Sequence, residues 1–152
     1  IKEFLDDNRG SVIIFSSFTS YLNHLASVVD GAALLTGEQS QAEKQASIDA
    51  FQRGERRVLL ANIRAGGVGF TLDRADTIIF ADRSYNPVDN EQASDRFIPT
   101  RSDVEYGAKQ IIDLTINKSI EVGINRLLKD KQNIISYVNN YIDNLGVKLG
   151  VL

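Results

Sequence analysis

The sequence predicts an α/β domain built on a doubly wound, mainly parallel sheet flanked by helices. Three observations predict it. The runs SVIIF (11–15), VLLAN (58–62) and DTIIF (76–80) are apolar without alternation, as strands covered on both faces are. Segments of helical periodicity separate the runs, and no hairpin signal joins any pair. The residues able to carry chemistry fall just beyond strands, chiefly between Val58 and Arg101, where open α/β sheets place their ligands.

Taken in order, IKEFLDDN (1–8) reads as a helix stopped near Gly10, and SVIIF as the first buried strand. The next helix puts Tyr21, Leu22, Leu25, Ala26 and Val29 on one face, with Ser or Thr available to cap its start. His24 lies on this helix with no acidic or nucleophilic neighbour in the local sequence, so a surface or partly packed role is expected. AALLTG (32–37) is a second short strand. Ser40 and Glu43 form an S-x-x-E capping box, so a helix is expected from there to about Arg53, terminated by Gly54. VLLAN, a glycine-rich loop and DTIIF follow, then a polar helix with Pro87 in its first turn. KQIIDLTI (109–116) reads as a strand near an edge, because polar residues flank its apolar centre. Ser119 opens a helix that aligns Ile120, Ile124, Leu127 and Leu128. A last helix, about 131–145, aligns Ile134, Ile135, Val138, Ile142 and Leu145 before Gly146.

Composition narrows the function classes. A chain of 152 residues is one domain's worth and buries about two-thirds of its unfolded surface. No apolar run approaches the ~20 residues of a membrane helix, and no signal-peptide pattern opens the chain. The absence of Cys removes disulfides and thiolate metal sites, and a single His excludes multi-His zinc sites and argues against a Ser-His-Asp triad. No metal site of the chain's own is expected. The chain has no Met and opens on Ile1, so the expectation is a piece of a longer protein. Net charge is −3, which does not by itself suggest a nucleic-acid partner. Its distribution is uneven: residues 1–52 carry three Lys/Arg against seven Asp/Glu, and residues 53–101 carry eight against seven. Six of those eight are arginines between Arg53 and Arg83, an arrangement equally compatible with a solvated mixed-charge face.

Two motifs stand out. In Arg64-Ala65-Gly66-Gly67-Val68-Gly69, glycines at a strand end let the backbone approach a ligand and offer N–H groups to an anion, with an arginine beside them. Alone this is a weak signal, since a tight turn needs Gly for steric reasons. It is not a Walker A loop, because no G-x-x-x-x-G-K-[ST] occurs in the chain. In Gln92-Ala93-Ser94-Asp95-Arg96, helical spacing brings Gln92, Asp95 and Arg96 onto neighbouring faces. Asp95 could orient a guanidinium for bidentate phosphate binding, or form an ordinary surface ion pair worth under ~1 kcal/mol.

Together these segments resemble the second RecA-like lobe of superfamily 2 helicase-like ATPases, and most closely of Swi/Snf-like DNA translocases. SVIIFSSFTSYL resembles motif IV and ANIRAGGVGFTL resembles motif V, usually close to S-T-K-A-G-G-x-G-L-N-L. TGEQSQAEKQASIDAFQRG resembles the intervening segment, and ADTIIFADRSYNP the A-D-x-V-I-x-x-D-x-x-W-N-P segment with Tyr85 for Trp. QASDR resembles the start of motif VI, Q-A-x-D-R-x-H-R-x-G-Q, and KSIEVGINRLLKDKQ the helix that follows it. The resemblance covers residues 11–131 in order and at family-like spacing.

The resemblance implies a RecA-like lobe over 1–131 with a bracing helix of the same domain over 132–152. ATP with Mg2+ would sit between this lobe and an N-terminal RecA-like lobe of the same chain, which carries the Walker A lysine and the catalytic acids. Arg96 matches the arginine finger, with Gln92 and Asp95 orienting and Gly67 and Gly69 facing the nucleotide. Ser16, Ser17, Thr36, Gly37, Asn62, Arg64 and Gly66 match positions that contact phosphates of one nucleic-acid strand, double-stranded DNA being the expected track. The fragment alone is expected inactive.

The departures are specific. Phe97-Ile98-Pro99-Thr100-Arg101 stands where x-H-R-x-G-Q is usual, so Pro99 takes the place of the second arginine and Arg101 is the available substitute. Asn62 and Ile63 replace the usual Ser and Thr of motif V. They point to a divergent member, in a bacterial or phage-infected cytoplasm rather than a nucleus. They leave an alternative: a lobe that has lost hydrolysis and is kept to bind nucleic acid or a partner protein.

Overall fold

The computed structural model describes residues 1–65, 72–95, 109–115, 126–136 and 139. Its elements run α1 (Lys2–Asp7), β1 (Val12–Ser16), α2 (Thr19–Val28), β2 (Ala33–Leu35), α3 (Gln41–Gln52), β3 (Val58–Asn62), β4 (Thr77–Phe80), α4 (Pro87–Asp95) and β5 (Gln110–Asp113). The strands form one parallel sheet in the order β2-β3-β1-β4-β5. Five parallel strands with flanking helices make this a RecA-like α/β fold.

Alternating residues of the central strands divide between two apolar layers, which is why their sequences show no polar alternation. Ile13, Phe15, Leu59, Ala61, Ile78 and Phe80 join Ile48 and Phe51 of α3 and Ala93 of α4. Val12, Ile14, Val58, Leu60 and Ile79 join Leu5 of α1 and Leu22 and Leu25 of α2. Phe15 and Phe80 stack with centroids 5.3 Å apart in the first layer. Burying a side chain of this size contributes about 1.5–3 kcal/mol, so the central strands anchor the sheet. At the edge, β5 is mostly exposed, as its polar flanks predict.

Among the described residues local signals acted where the sequence placed them, with two exceptions; Ser119, Ile120, Ile124, Val138, Ile142, Leu145 and Gly146 lie outside those residues. Ser40 and Glu43 form the reciprocal capping box at the start of α3, and Gly54 follows its end at φ 78°. That left-handed backbone is one L side chains rarely adopt, which is why Gly suits the turn. The first exception is α2, whose N-cap is Phe18 with no side-chain cap. Thr19, a candidate cap, instead accepts a hydrogen bond from Asn62 at 3.2 Å. The second is the predicted helix boundary near 131: residues 126–136 are helical without a break. Leu128-Lys129-Asp130-Lys131-Gln132-Asn133 contains no Gly or Pro to interrupt a helix.

The chain divides into two compact units, residues 1–84 with 88–114, and residues 85–87 with 115–152. The first holds the sheet. In the second, Leu128 is buried, whereas Leu127, Ile134 and Ile135 are exposed.

Candidate functional site

The carboxyl ends of β1, β3 and β4 lie side by side, and a polar network joins them. Asp82, just past β4, is its hub. One carboxylate oxygen accepts the Ser17 N–H at 2.9 Å and the other accepts the Ser16 hydroxyl. Ser16 Oγ in turn accepts the Phe18 N–H at 3.0 Å. Ser16 is fully buried, so its hydroxyl acts inside the fold. The Ser17 hydroxyl is buried with no hydrogen-bond partner. The phenol of Tyr21 on α2 titrates above its ordinary value, because burial and then the negative charge of Asp82 disfavour the phenolate.

Asn62 at the end of β3 makes the second junction. Its amide Nδ2 donates to the Ser17 carbonyl at 3.1 Å and to Thr19 Oγ1 at 3.2 Å, while its Oδ1 accepts the Arg64 N–H at 3.0 Å. The amide that stands where the resembled motif has Ser donates to Ser17 and Thr19 at once, which the single donor of a serine could not do.

Arg64 carries the network to α4. Its Nε donates to Asp89 at 2.8 Å and its Nη2 approaches Ser84 Oγ at 3.4 Å. The Ser84 hydroxyl donates to the same Asp89 oxygen at 2.8 Å. Asn90 brackets the Ser84 backbone, accepting its N–H and donating to its carbonyl, each at 2.9 Å. Asp89 is largely enclosed, with 20% of its side chain exposed, whereas Arg64 remains 70% exposed.

The other candidates divide by position. Thr36 is buried and its N–H donates to Gln39 at 2.8 Å. Gly37 is exposed, with open space where a Cβ would stand. Gln92 and Asp95 are both exposed on α4, whose Ala93 faces the core. Arg96, Arg101, Gly66, Gly67 and Gly69 lie outside the described residues. The arginine cluster also resolves into separate roles. Arg83 pairs with Asp113 at 2.6 Å and lies 3.7 Å over the Phe80 ring, and Arg57 donates to the carbonyls of Leu5 and Asn8. Arg53 pairs with Glu55. Arg64 and Arg83 both lie at the carboxyl edge, and Arg64 is the more exposed of the two, at 70% against 22% of the side chain.

Sequence reasoning missed Asp82, Ser84 and Asp89. The string ADRSYNP contained the signal, but only the pairing of β1 with β4 puts Asp82 against Ser16 and Ser17. Among the described residues no group of three or more His, Cys, Asp or Glu is placed to hold a metal ion, and no helix is long and apolar enough to cross a membrane.

Comparison with known proteins agrees with this fold. The helicase conserved C-terminal domain matches residues 1–98. The chain is 33% identical over 144 residues to the ATP-dependent helicase FUN30 of Saccharomyces cerevisiae, covering 91% of this chain and 12% of that protein. It is 33% identical over 119 residues to the chromatin remodeling factor mit1 of Schizosaccharomyces pombe, covering 72% of this chain and 8% of that protein. The crystal structure of the C-terminal part of the Fun30 ATPase domain superposes with a TM-score of 0.71 at 31% identity, covering 84% of this chain and 41% of that one. The chain thus spans about an eighth or less of the length of these curated relatives. These findings overturn the expected bacterial or phage-infected cytoplasm: both of these relatives are eukaryotic, and one is named for remodelling chromatin, a nuclear material. Divergence over residues 97–101 was no guide to compartment, because a few substituted residues in one motif carry no targeting information.

Proposed function

We propose, from the premise that the chain belongs to the helicase conserved C-terminal domain family, that it serves as the second motor lobe of an ATP-dependent nucleic-acid translocase, with duplex DNA as the track. The observation that carries this reading is the junction at the carboxyl edge. The motif IV segment is tied there to the motif V segment through Asn62 and to the segment after β4 through Asp82, beside the helix that carries Gln92 and Asp95.

Within this reading the nucleotide lies in a seam between this lobe and an N-terminal RecA-like lobe, which holds Mg2+ and most of the ATP. Bound ATP supplies a phosphoryl group for transfer to water. Arg96 stabilises the charge that develops on that group, a contribution worth about 10³–10⁵ in rate where arginine fingers operate. Gln92 and Asp95, exposed on α4, orient it, and Gly67 and Gly69 face the nucleotide. Arg101 takes the place of the second arginine, which Pro99 displaces. Along the edge Gly37, Asn62, Arg64 and Gly66 meet the phosphates of one strand, and Ser17, whose hydroxyl is buried, shapes the loop beside them. Ser16 and Thr36 act from beneath, holding the backbone that makes those contacts. Such contacts are independent of base sequence and weaken steeply with salt. The isolated lobe, lacking half the site, has no turnover.

The test is ATP turnover by the full-length protein with and without duplex DNA. Arg96→Ala should lower the DNA-stimulated rate by about 10³-fold or more while leaving DNA binding intact. Unchanged turnover would remove Arg96 from the finger role. Pro99 favours a second reading, a lobe retained for binding after hydrolysis was lost. That reading expects no turnover from the full-length protein but salt-sensitive DNA binding.

A further inference from the structure

Surface ion pairs are generally worth ~0–1 kcal/mol, and Arg64–Asp89 joins residues far apart in sequence on one face of the molecule. Three features set it apart from such a pair. Asp89 is the enclosed member and is held by a second donor, the Ser84 hydroxyl, so the carboxylate is fixed before the arginine arrives. The arginine is held at its other end as well, because its backbone N–H donates to Asn62, which also grips Ser17 and Thr19. Finally, the guanidinium keeps 70% of its surface in water, and no described residue bonds its Nη1. It can therefore take a second anion without first releasing Asp89.

We infer that Asp89 is a positioning residue that presets the Arg64 guanidinium for a nucleic-acid phosphate and transmits that contact to α4, the helix leading to Gln92, Asp95 and Arg96. The inference rests on the motor reading. When a phosphate shares the guanidinium with Asp89, the pull on the arginine acts on a carboxylate anchored in the first turn of α4. The helix that presents the catalytic side then responds to occupancy of the track side. Asp89 touches neither nucleotide nor nucleic acid. Its effect on the nucleic acid passes through Arg64.

The test uses the full-length protein, a fluorescently labelled DNA duplex and three variants: Asp89→Asn, Arg64→Ala and the double. Asp89→Asn should keep or tighten DNA binding, since it frees a cation, yet lower DNA-stimulated turnover about tenfold, the size of coupling such networks carry. Basal turnover and melting temperature should stay unchanged. Arg64→Ala should weaken binding and reduce the slope of log affinity against log salt by about one. In the Arg64→Ala background, Asp89→Asn should change neither binding nor stimulation further, because the two act as one unit. Wild-type behaviour of Asp89→Asn would overturn the inference. So would an equal fall in basal and stimulated rates with a lower melting temperature, or additive effects in the double variant. If DNA fails to stimulate even the wild-type protein, the motor reading falls, and the binding arm still decides the inference: an effect of Asp89→Asn on DNA affinity that persists without Arg64 overturns it.

Discussion

Strand β4 is pinned to the β1 segment at both ends by an aspartate, and the two ends differ in what lies behind the pin. At the amino end Asp76 accepts the Ser11 N–H at 2.7 Å and returns its own N–H to the Ser11 carbonyl at 2.8 Å. At the carboxyl end Asp82 accepts from Ser17 and Ser16. Cations near the amino end are spent on backbone carbonyls: Arg57 on Leu5 and Asn8, Lys109 on Asp73 and Ala75. Burial lowers the Lys109 pKa, with the nearby Asp76 and Asp73 opposing the shift. Near the carboxyl end the bonds run through side chains, from Asp82 and Asn62 to Arg64 and Asp89, and finish on a guanidinium left largely in water. The same clamp closes one edge of the sheet and, at the other, supports a charged face that stays open. An edge whose charges are consumed by its own backbone has little left for a ligand.

The contrast can be broken by experiment. The largest effect on stability should come from Asp82→Ala, which strands the fully buried Ser16 hydroxyl and the Ser17 N–H; a loss of about 2–3 kcal/mol is expected in chemical denaturation. Asp76→Ala should cost less, about 1 kcal/mol, because Asp76 is exposed and water can replace it at Ser11. It should also leave the salt dependence of DNA binding untouched. If Asp76→Ala proved as damaging as Asp82→Ala, or altered DNA binding, the two ends would not differ as described. The smallest effect sharpens the comparison from outside both edges. The Glu43 carboxyl is held below its ordinary value of 4.5 by hydrogen bonds from the Ser40 side chain and backbone. A carboxylate shifted downward stabilises the fold fully above its unfolded value, and that contribution fades as pH falls through the folded value. Glu43→Gln should therefore lower the melting temperature slightly at neutral pH, and its difference from wild type should shrink as pH falls through the acid range.

Much of the fold was legible because its signals are local. Continuous apolar runs marked doubly covered strands, Ser40 and Glu43 marked the start of α3, and Gly54 marked its end. The candidate site was legible only in part. Ser17, Asn62 and Arg64 came from their resemblance to motifs, whereas Asp82 and Asp89 did not, since their partners lie 65 and 25 residues away. Thr19 shows the opposite failure: a residue with a sound local role as a cap was taken for a distant bond to Asn62.

By itself the sequence determined which segments would be strands and helices, and that the motifs would fall at strand ends, because propensity, capping and apolar periodicity act over a few neighbouring residues. Only the tertiary structure decided that β3 lies between β2 and β1, that Ser16 and Thr36 are buried while Arg64 is exposed, and that one carboxylate on α4 holds the edge arginine. Those facts depend on which strand ends are brought together. That is settled by burying both faces of the sheet at once, a condition no short stretch of chain can express.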